Sequence, residues 1–169
     1  MIFANPKELL CWFKSSHPDH HFKDRFLNNI HLYGTTVIFK ILKKRPELSP
    51  VCPGQKAGKL FANGHNCTQA VLQATTGRKD RDLMKMAKAF GGGVGDRKCL
   101  CGAVTGGLMA LGLKGKSNKS GELIDRFRKD QGATCCVALS RGLKWKSKEH
   151  RNNCRRITEE TARTVSDML

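Results

Sequence analysis

Apolar residues recur at helical spacing along most of the chain after residue 53. Those between Cys67 and Ala74 fall about one turn apart, and residues 121–129 are amphipathic with the same period. The pattern predicts helices over residues 54–63, 67–75, 80–90, 101–111, 121–129, 133–139 and 154–168. It shows no period-two strand after residue 45 and no heptad. The sequence therefore predicts an all-α fold, a compact multi-helix domain.

One predicted helix, residues 101–111, alternates small and apolar residues and carries no charge. Gly102 and Gly106 leave one of its faces almost without side chains, so a neighbouring backbone can approach closely. The glycine run at residues 91–95 predicts a sharp reversal of the chain just before this helix. Because it lacks the Lys and Ser/Thr of a phosphate loop, we interpret it as a turn with close packing.

Residues 1–52 differ in composition from the rest of the chain. They hold four of the six His residues but one of the 17 Gly residues. Pro46, Pro50 and Pro53 break the chain near residue 52. We therefore predict two parts, an N-terminal accessory segment over residues 1–52 and a helical domain over residues 53–169.

The net charge of +17 is compatible with an acidic partner. The basic tract at residues 141–151, which contains Trp145, could contact nucleic acid, but a solvated loop is the simpler interpretation. A second cluster could bind a divalent metal, although a solvated turn beside Pro18 explains it more simply. That cluster comprises His17, Asp19, His20 and His21.

The chain contains eight cysteines, which is many for 169 residues. Its first residues lack the basic-then-apolar pattern of a secretory signal, and no apolar run is long enough to cross a bilayer. We therefore expect a cytoplasmic protein without a transmembrane segment. In a reducing compartment, many cysteines indicate metal or redox chemistry more often than structural disulfides.

Four cysteines come at or near the starts of predicted helices: Cys67, Cys101, Cys136 and Cys154. Unpaired N–H groups at a helix N-terminus stabilise a thiolate or a cluster sulfur, so we expect the four to lie around one pocket. Arg97 and Lys98 add positive charge beside Cys101, which we expect to be the most reactive or the most tightly ligating of the four. The plainer alternative is that each cysteine is a small buried hydrophobic residue. The spacings match neither a zinc ribbon nor a C-x-x-C pair.

Local motifs follow one another in a specific order. The chain reads G-H-N-C-T-Q-A-V at 64–71, F-G-G-G-V-G at 90–95 and C-G-A-V-T-G at 101–106, with a cysteine in the next helix and a final cysteine. Over residues 56–169 this order resembles the family of redox-active proteins named for its C…CGAxxG…C…C pattern. A similar module occurs in split-Soret cytochromes.

The resemblance implies an α-helical fold, redox-active cysteines and, as an option, an iron–sulfur cluster. The redox-active and cofactor-binding positions it implies are Cys67, Cys101, Cys136 and Cys154. Cys99 and Cys135 are additional to the pattern, and Cys135 could replace Cys136 as its third cysteine.

Three kinds of function remain open at this point. The leading hypothesis is a redox protein whose cysteines cycle between thiol and disulfide with a redox partner, or hold an iron–sulfur cluster. The second is a basic protein that binds nucleic acid or another polyanion and has structural cysteines. The third is a zinc-stabilised module without turnover.

Overall fold

The computed structural model describes residues 52–169, which belong to a compact unit that begins at Val51. Within this part of the chain there are seven α-helices and one short 3₁₀ helix. The α-helices are α1 (Pro53–Ala62), α2 (Cys67–Thr76), α3 (Arg81–Lys88), α4 (Gly102–Leu113), α5 (Ser120–Gln131), α6 (Cys136–Leu139) and α7 (Lys148–Met168). Between residues 52 and 169 there is no strand, only one isolated bridge from Leu100 to Cys135. The predicted all-α fold is confirmed.

The predictions for residues 1–51 lie outside the described residues. They include the body of the accessory segment and the cluster around His17. The boundary predicted at residue 52 stays a prediction. None of the helices in the described part is long and apolar enough to cross a membrane.

Helix α4 is the centre of the core and packs against α2, α5 and α7. A Cβ added at Gly106 would lie 2.5 Å from the backbone oxygen of Thr68 in α2. One added at Gly107 would lie 2.7 Å from Cγ2 of Val165 in α7. Two faces of α4 therefore need glycine, and the close approach predicted for its small face is confirmed.

The N-terminus of α2 is fixed by a reciprocal capping box. The N–H of Gln69 donates to Asn66 Oδ1 at 3.0 Å, and the N–H of Asn66 donates to Gln69 Oε1 at 3.1 Å. The two side-chain amides also donate to α3, from Asn66 Nδ2 to Lys88 O and from Gln69 Nε2 to Met84 O, both at 2.9 Å. The same two residues thus cap α2 and hold α3, whose only buried residue is Ala87.

The last helix begins earlier than the sequence predicts. It starts at Lys148, where the hydroxyl of Ser147 accepts a hydrogen bond from the N–H of His150 at 3.2 Å. The prediction of a helix over 154–168 is wrong at its start, because residues 148–153 are all polar and show no apolar period. As a result, Cys154 lies two turns inside α7 and not at its N-terminus.

Candidate cysteine site

Four free cysteines from separate helical elements line one cavity. Cys67 is the first residue of α2, Cys101 is the N-cap of α4, Cys136 is the first residue of α6, and Cys154 lies within α7. The cavity is completed by Leu139, Ser140, Asn153 and Ile157. The structure therefore brings together all four cysteines singled out in the sequence.

Cys67 and Cys154 form one pair across the cavity. A hydrogen bond with Cys154, reinforced by burial, raises the pKa of the Cys67 thiol. The same hydrogen bond lowers the pKa of Cys154, although burial opposes the effect. The hydroxyl of Thr158 donates a hydrogen bond to the Cys154 carbonyl at 2.7 Å. The same hydroxyl contacts the Cys67 thiol. Of this pair, Cys154 therefore has the lower pKa and is the more readily ionised thiol.

Backbone hydrogen bonds join the segments that carry the other two cysteines. The N–H of Cys101 donates to Thr134 O at 2.8 Å, and the N–H of Cys136 donates to Cys99 O at 2.8 Å. These bonds flank the antiparallel bridge between Leu100 and Cys135. They bring the N-terminus of α4 beside that of α6. The helix predicted over 133–139 is wrong at its start because residue 135 is extended and takes part in this bridge.

Cys101 and Cys136 form the second pair. A hydrogen bond with Cys136, followed by burial, raises the pKa of Cys101. Conversely, the hydrogen bond from Cys101 lowers the pKa of Cys136 against the effect of burial, and the backbone N–H of Gly102 lowers it further. Of this second pair, Cys136 has the lower pKa.

The expectation of a lowered pKa at Cys101 is wrong, while its greater reactivity stays a prediction. Part of the N-terminal field of α4 acts on Cys136 through the N–H of Gly102. The ammonium of Lys98 does not serve Cys101 as expected, because it lies over the ring of Trp145, 4.6 Å from the centroid. Deep burial and the partner thiol then raise the pKa of Cys101.

The two additional cysteines lie outside the cavity. Cys135 is paired with Leu100 in the bridge, so Cys136 and not Cys135 shares the cavity with the three other cysteines. Cys99 is exposed, and its thiol lies 3.8 Å from the carbonyl oxygen of Arg97.

His150 is a site residue that the sequence analysis missed. Its Nε2 lies 3.6 Å from the sulfur of Cys154, and Cys154 follows His150 by one turn of α7. The ring is buried against Trp145, with centroids 4.4 Å apart. Burial, and then the charge of Lys98, lowers the pKa of His150, which favours a neutral imidazole. The one available signal was the four-residue spacing to Cys154, which places both on one face of a helix.

The donor set has the composition of an iron–sulfur site, since four thiolates are the usual ligands of such clusters. Among residues 52–169, no three side chains of His, Cys, Asp or Glu are grouped so as to hold a metal ion. Side-chain hydrogen bonds pair Cys67 with Cys154 and Cys101 with Cys136, and charge interactions also link Cys67 with Cys101 and with Cys136.

Residues 65–168 match the sequence model of the family described as "Putative redox-active protein (C_GCAxxG_C_C)". The match covers more than half of the chain, and the protein belongs to this family. At residues 101–106 the chain reads C-G-A-V-T-G, with the first two letters in the reverse order of the family label. No curated protein and no solved structure matches the chain.

Proposed function

We propose that this protein is a thiol–disulfide electron-transfer protein of a reducing compartment such as the cytoplasm. Its reactive residues are Cys67, Cys101, Cys136 and Cys154. The observation that carries the proposal is that these four free thiols line one cavity and interact as two pairs. Membership of a family described as redox-active supports it. The net charge of +17 favours a partner with an acidic surface.

The pair in α2 and α7 supplies an attacking and a resolving thiol. Cys154 is half-buried, and its lowered pKa favours the thiolate, which attacks one sulfur of a partner disulfide. The other partner sulfur leaves as a thiolate and takes the proton of Cys67. The Cys67 thiolate then attacks Cys154 in the mixed disulfide and releases the second partner thiolate. Two electrons pass to the partner, and a Cys67–Cys154 disulfide remains.

The second pair then reduces the disulfide of the first pair across the cavity. The Cys136 thiolate attacks Cys154 of the Cys67–Cys154 disulfide, and Cys67 leaves with the proton of Cys101. Cys101 then attacks Cys136, and Cys154 leaves as a thiolate. The products are a Cys101–Cys136 disulfide and a reduced first pair, so atoms and electrons balance without any other reagent. Such exchange needs the attacking sulfur close to the disulfide, and the shared cavity supports this requirement.

The experiment starts from the full chain purified without oxygen. One equivalent of diamide, a thiol oxidant, is expected to remove two thiols and form a disulfide within one of the pairs. A second equivalent should form the other. Peptide mass spectrometry locates the bonds. Serine at any of the four cysteines should abolish the disulfide of its own pair, whereas the matched change Cys135→Ser should abolish neither.

Metal analysis and an absorption spectrum of the same preparation test the alternatives. Stoichiometric iron with visible charge-transfer bands would contradict the dithiol cycle and assign the four cysteines to a cluster. Stoichiometric zinc would contradict it in favour of a structural role. Binding of polyanions is a separate prediction that none of these measurements depends on, and it should weaken steeply with added salt.

A further inference from the structure

The second cysteine pair lacks a direct route to a large partner. Cys101 is 4% exposed and Cys136 is 8% exposed. Thiol–disulfide exchange requires access to the sulfur that is attacked, and a folded partner cannot reach sulfurs at this depth. The pair can exchange with Cys154 across the cavity, and any second route for reduction of its disulfide requires another accessible thiol.

The exposed Cys99 lies opposite one member of this pair, Cys136. The N–H of Cys136 donates to the carbonyl of Cys99 at 2.8 Å, which places these two residues opposite each other, next to the bridge between Leu100 and Cys135. Opposite residues of an antiparallel pair project to the same side, with Cα atoms about 5.5 Å apart in a hydrogen-bonded register. Disulfides span Cα separations of roughly 4.4–6.8 Å, so this register permits one.

The alternation of side chains separates the two additional cysteines. Because side chains alternate along a paired segment, residues 99 and 101 belong to the same side as residue 136, and Leu100 and Cys135 to the other. Cys99 is also exposed, in contrast to the two cavity cysteines beside it. It is therefore the cysteine whose position connects the buried pair with solvent.

The loop before Cys99 holds it in this register. The N–H of Cys99 donates to Gly93 O at 2.9 Å, and that of Lys98 donates to Gly92 O at 3.0 Å. A Cβ on Gly93 would lie 2.7 Å from the nitrogen of Cys99, so the loop fits closely around this residue. Because its backbone is tied both to the loop and to Cys136, Cys99 is held next to the second pair before any reaction occurs.

We propose that Cys99 is a relay thiol that carries the disulfide of the second pair to the surface. The inference rests on the proposed function, which supplies the Cys101–Cys136 disulfide. The Cys99 thiolate attacks Cys136, a Cys99–Cys136 disulfide forms, and Cys101 leaves as a thiolate that takes up the proton lost by Cys99. A reducing thiol then attacks the exposed sulfur of Cys99. Cys136 leaves as a thiolate, and a second reducing thiol releases Cys99 by forming a disulfide with the first.

The test follows reduction of the oxidised full chain by glutathione, the small thiol used as the probe. In wild-type protein, the Cys101–Cys136 disulfide should be reduced by way of glutathione attached to Cys99. In Cys99→Ser, reduction of this disulfide should slow by about tenfold or more, because the accessible sulfur is lost. Cys135→Ser, the matched change at the other additional cysteine, should reduce at the wild-type rate. Urea melts of the variants check that neither change loosens the fold.

A second variant detects the relay disulfide itself. With Cys101→Ser, diamide should form a Cys99–Cys136 disulfide that is absent when Cys99→Ser is added. Cleavage after Lys98 and Lys114 leaves residues 99 and 101 in one peptide, so fragment spectra assign the bond. A wild-type reduction rate in Cys99→Ser would overturn the relay and leave the proposed function standing. If oxidised wild-type protein contained no Cys101–Cys136 disulfide, the proposed function would fail and the relay with it.

Discussion

The two cysteine pairs face the same cavity but are held by different interactions. Cys67 and Cys154 belong to helices whose positions depend on side-chain packing, with glycines of α4 pressed against α2 and α7. Cys101 and Cys136 are held by backbone hydrogen bonds between two short segments and by a left-handed loop before them. The first pair should therefore respond to changes of volume, and the second to changes of backbone conformation.

The two cysteine pairs also differ in their exposure to solvent. Cys154 reaches the surface directly in a half-buried position, whereas both members of the second pair are buried. Each pair nevertheless combines one thiol of raised pKa with one of lowered pKa. Similar thiol chemistry is thus built twice, once by packing and once by backbone pairing.

The largest expected effect comes from adding a side chain at Gly106, where α4 packs against α2 at Thr68, the residue after Cys67. Gly106→Ala places a Cβ against the backbone of Thr68, and overpacking of this kind costs about 1–3 kcal/mol. The measurement is the free energy of unfolding in urea. Gly121→Ala is the matched control, since a Cβ there meets nothing within 4 Å and alanine favours a helix over glycine by up to about 1 kcal/mol. Equal stability of the two variants would contradict the packing account of the first pair.

The second prediction concerns the pH dependence of Cys154. Its folded pKa is lowered by the hydrogen bond from Cys67, so its thiolate persists as the pH falls and is lost only below the value for an unfolded thiol. More of the Cys154 thiol should therefore be ionised at neutral pH than of an ordinary cysteine, and iodoacetamide should label it faster. Cys67 should label slowly, because its pKa is raised.

Rates from pH 5 to 9, read by peptide mass spectrometry, give the midpoint for Cys154. The same series in urea supplies the unfolded reference. Cys67→Ser removes the thiol that donates to Cys154 and should shift the midpoint upward. A folded midpoint at or above that of the unfolded protein would contradict a lowered pKa of Cys154 in the folded protein.

The smallest expected effect tests the loop that precedes the second pair. Val94 has φ 58°, a left-handed conformation that is costly for a β-branched residue. Val94→Gly should relieve this cost, although the greater conformational entropy of glycine in the unfolded chain offsets part of the gain. The expected net effect is a stabilisation of up to about 1 kcal/mol. Val137→Gly, also at an exposed valine but within α6, should destabilise by about 0.5–1 kcal/mol. Melting curves of the two variants that shift in the same direction would contradict this account.

Much of the fold could be predicted because the helices are amphipathic or composed of small residues. The spacing from Cys67 to Ala74 and the charge-free run at 101–111 each predicted a helix that the structure contains. The starts of α6 and α7 could not be predicted. Residues 148–153 lack apolar residues, and the extended conformation of Cys135 depends on pairing with a segment 35 residues earlier in the chain.

The candidate site could be predicted in composition but not in electrostatics. Helix starts and local motifs identified the four cysteines, which the structure brings to one cavity. Which thiol carries the charge depends on contacts between elements, such as the N–H of Gly102 with Cys136 and the ammonium of Lys98 with Trp145. The four-residue spacing places His150 on the same helix face as Cys154 but does not indicate that its ring is buried against Trp145.

Helix α3 is held by side-chain amides more than by a core of its own. It buries Ala87 alone, and Asn66 and Gln69 supply two hydrogen bonds to its carbonyls. Segments with few buried apolar contacts open at low free energy, so its amide protons should exchange with deuterium before those of α4. Each such opening would release the capping residues from α3 while leaving their own reciprocal bonds intact. The start of α2, and Cys67 with it, can therefore outlast the local unfolding of its neighbour.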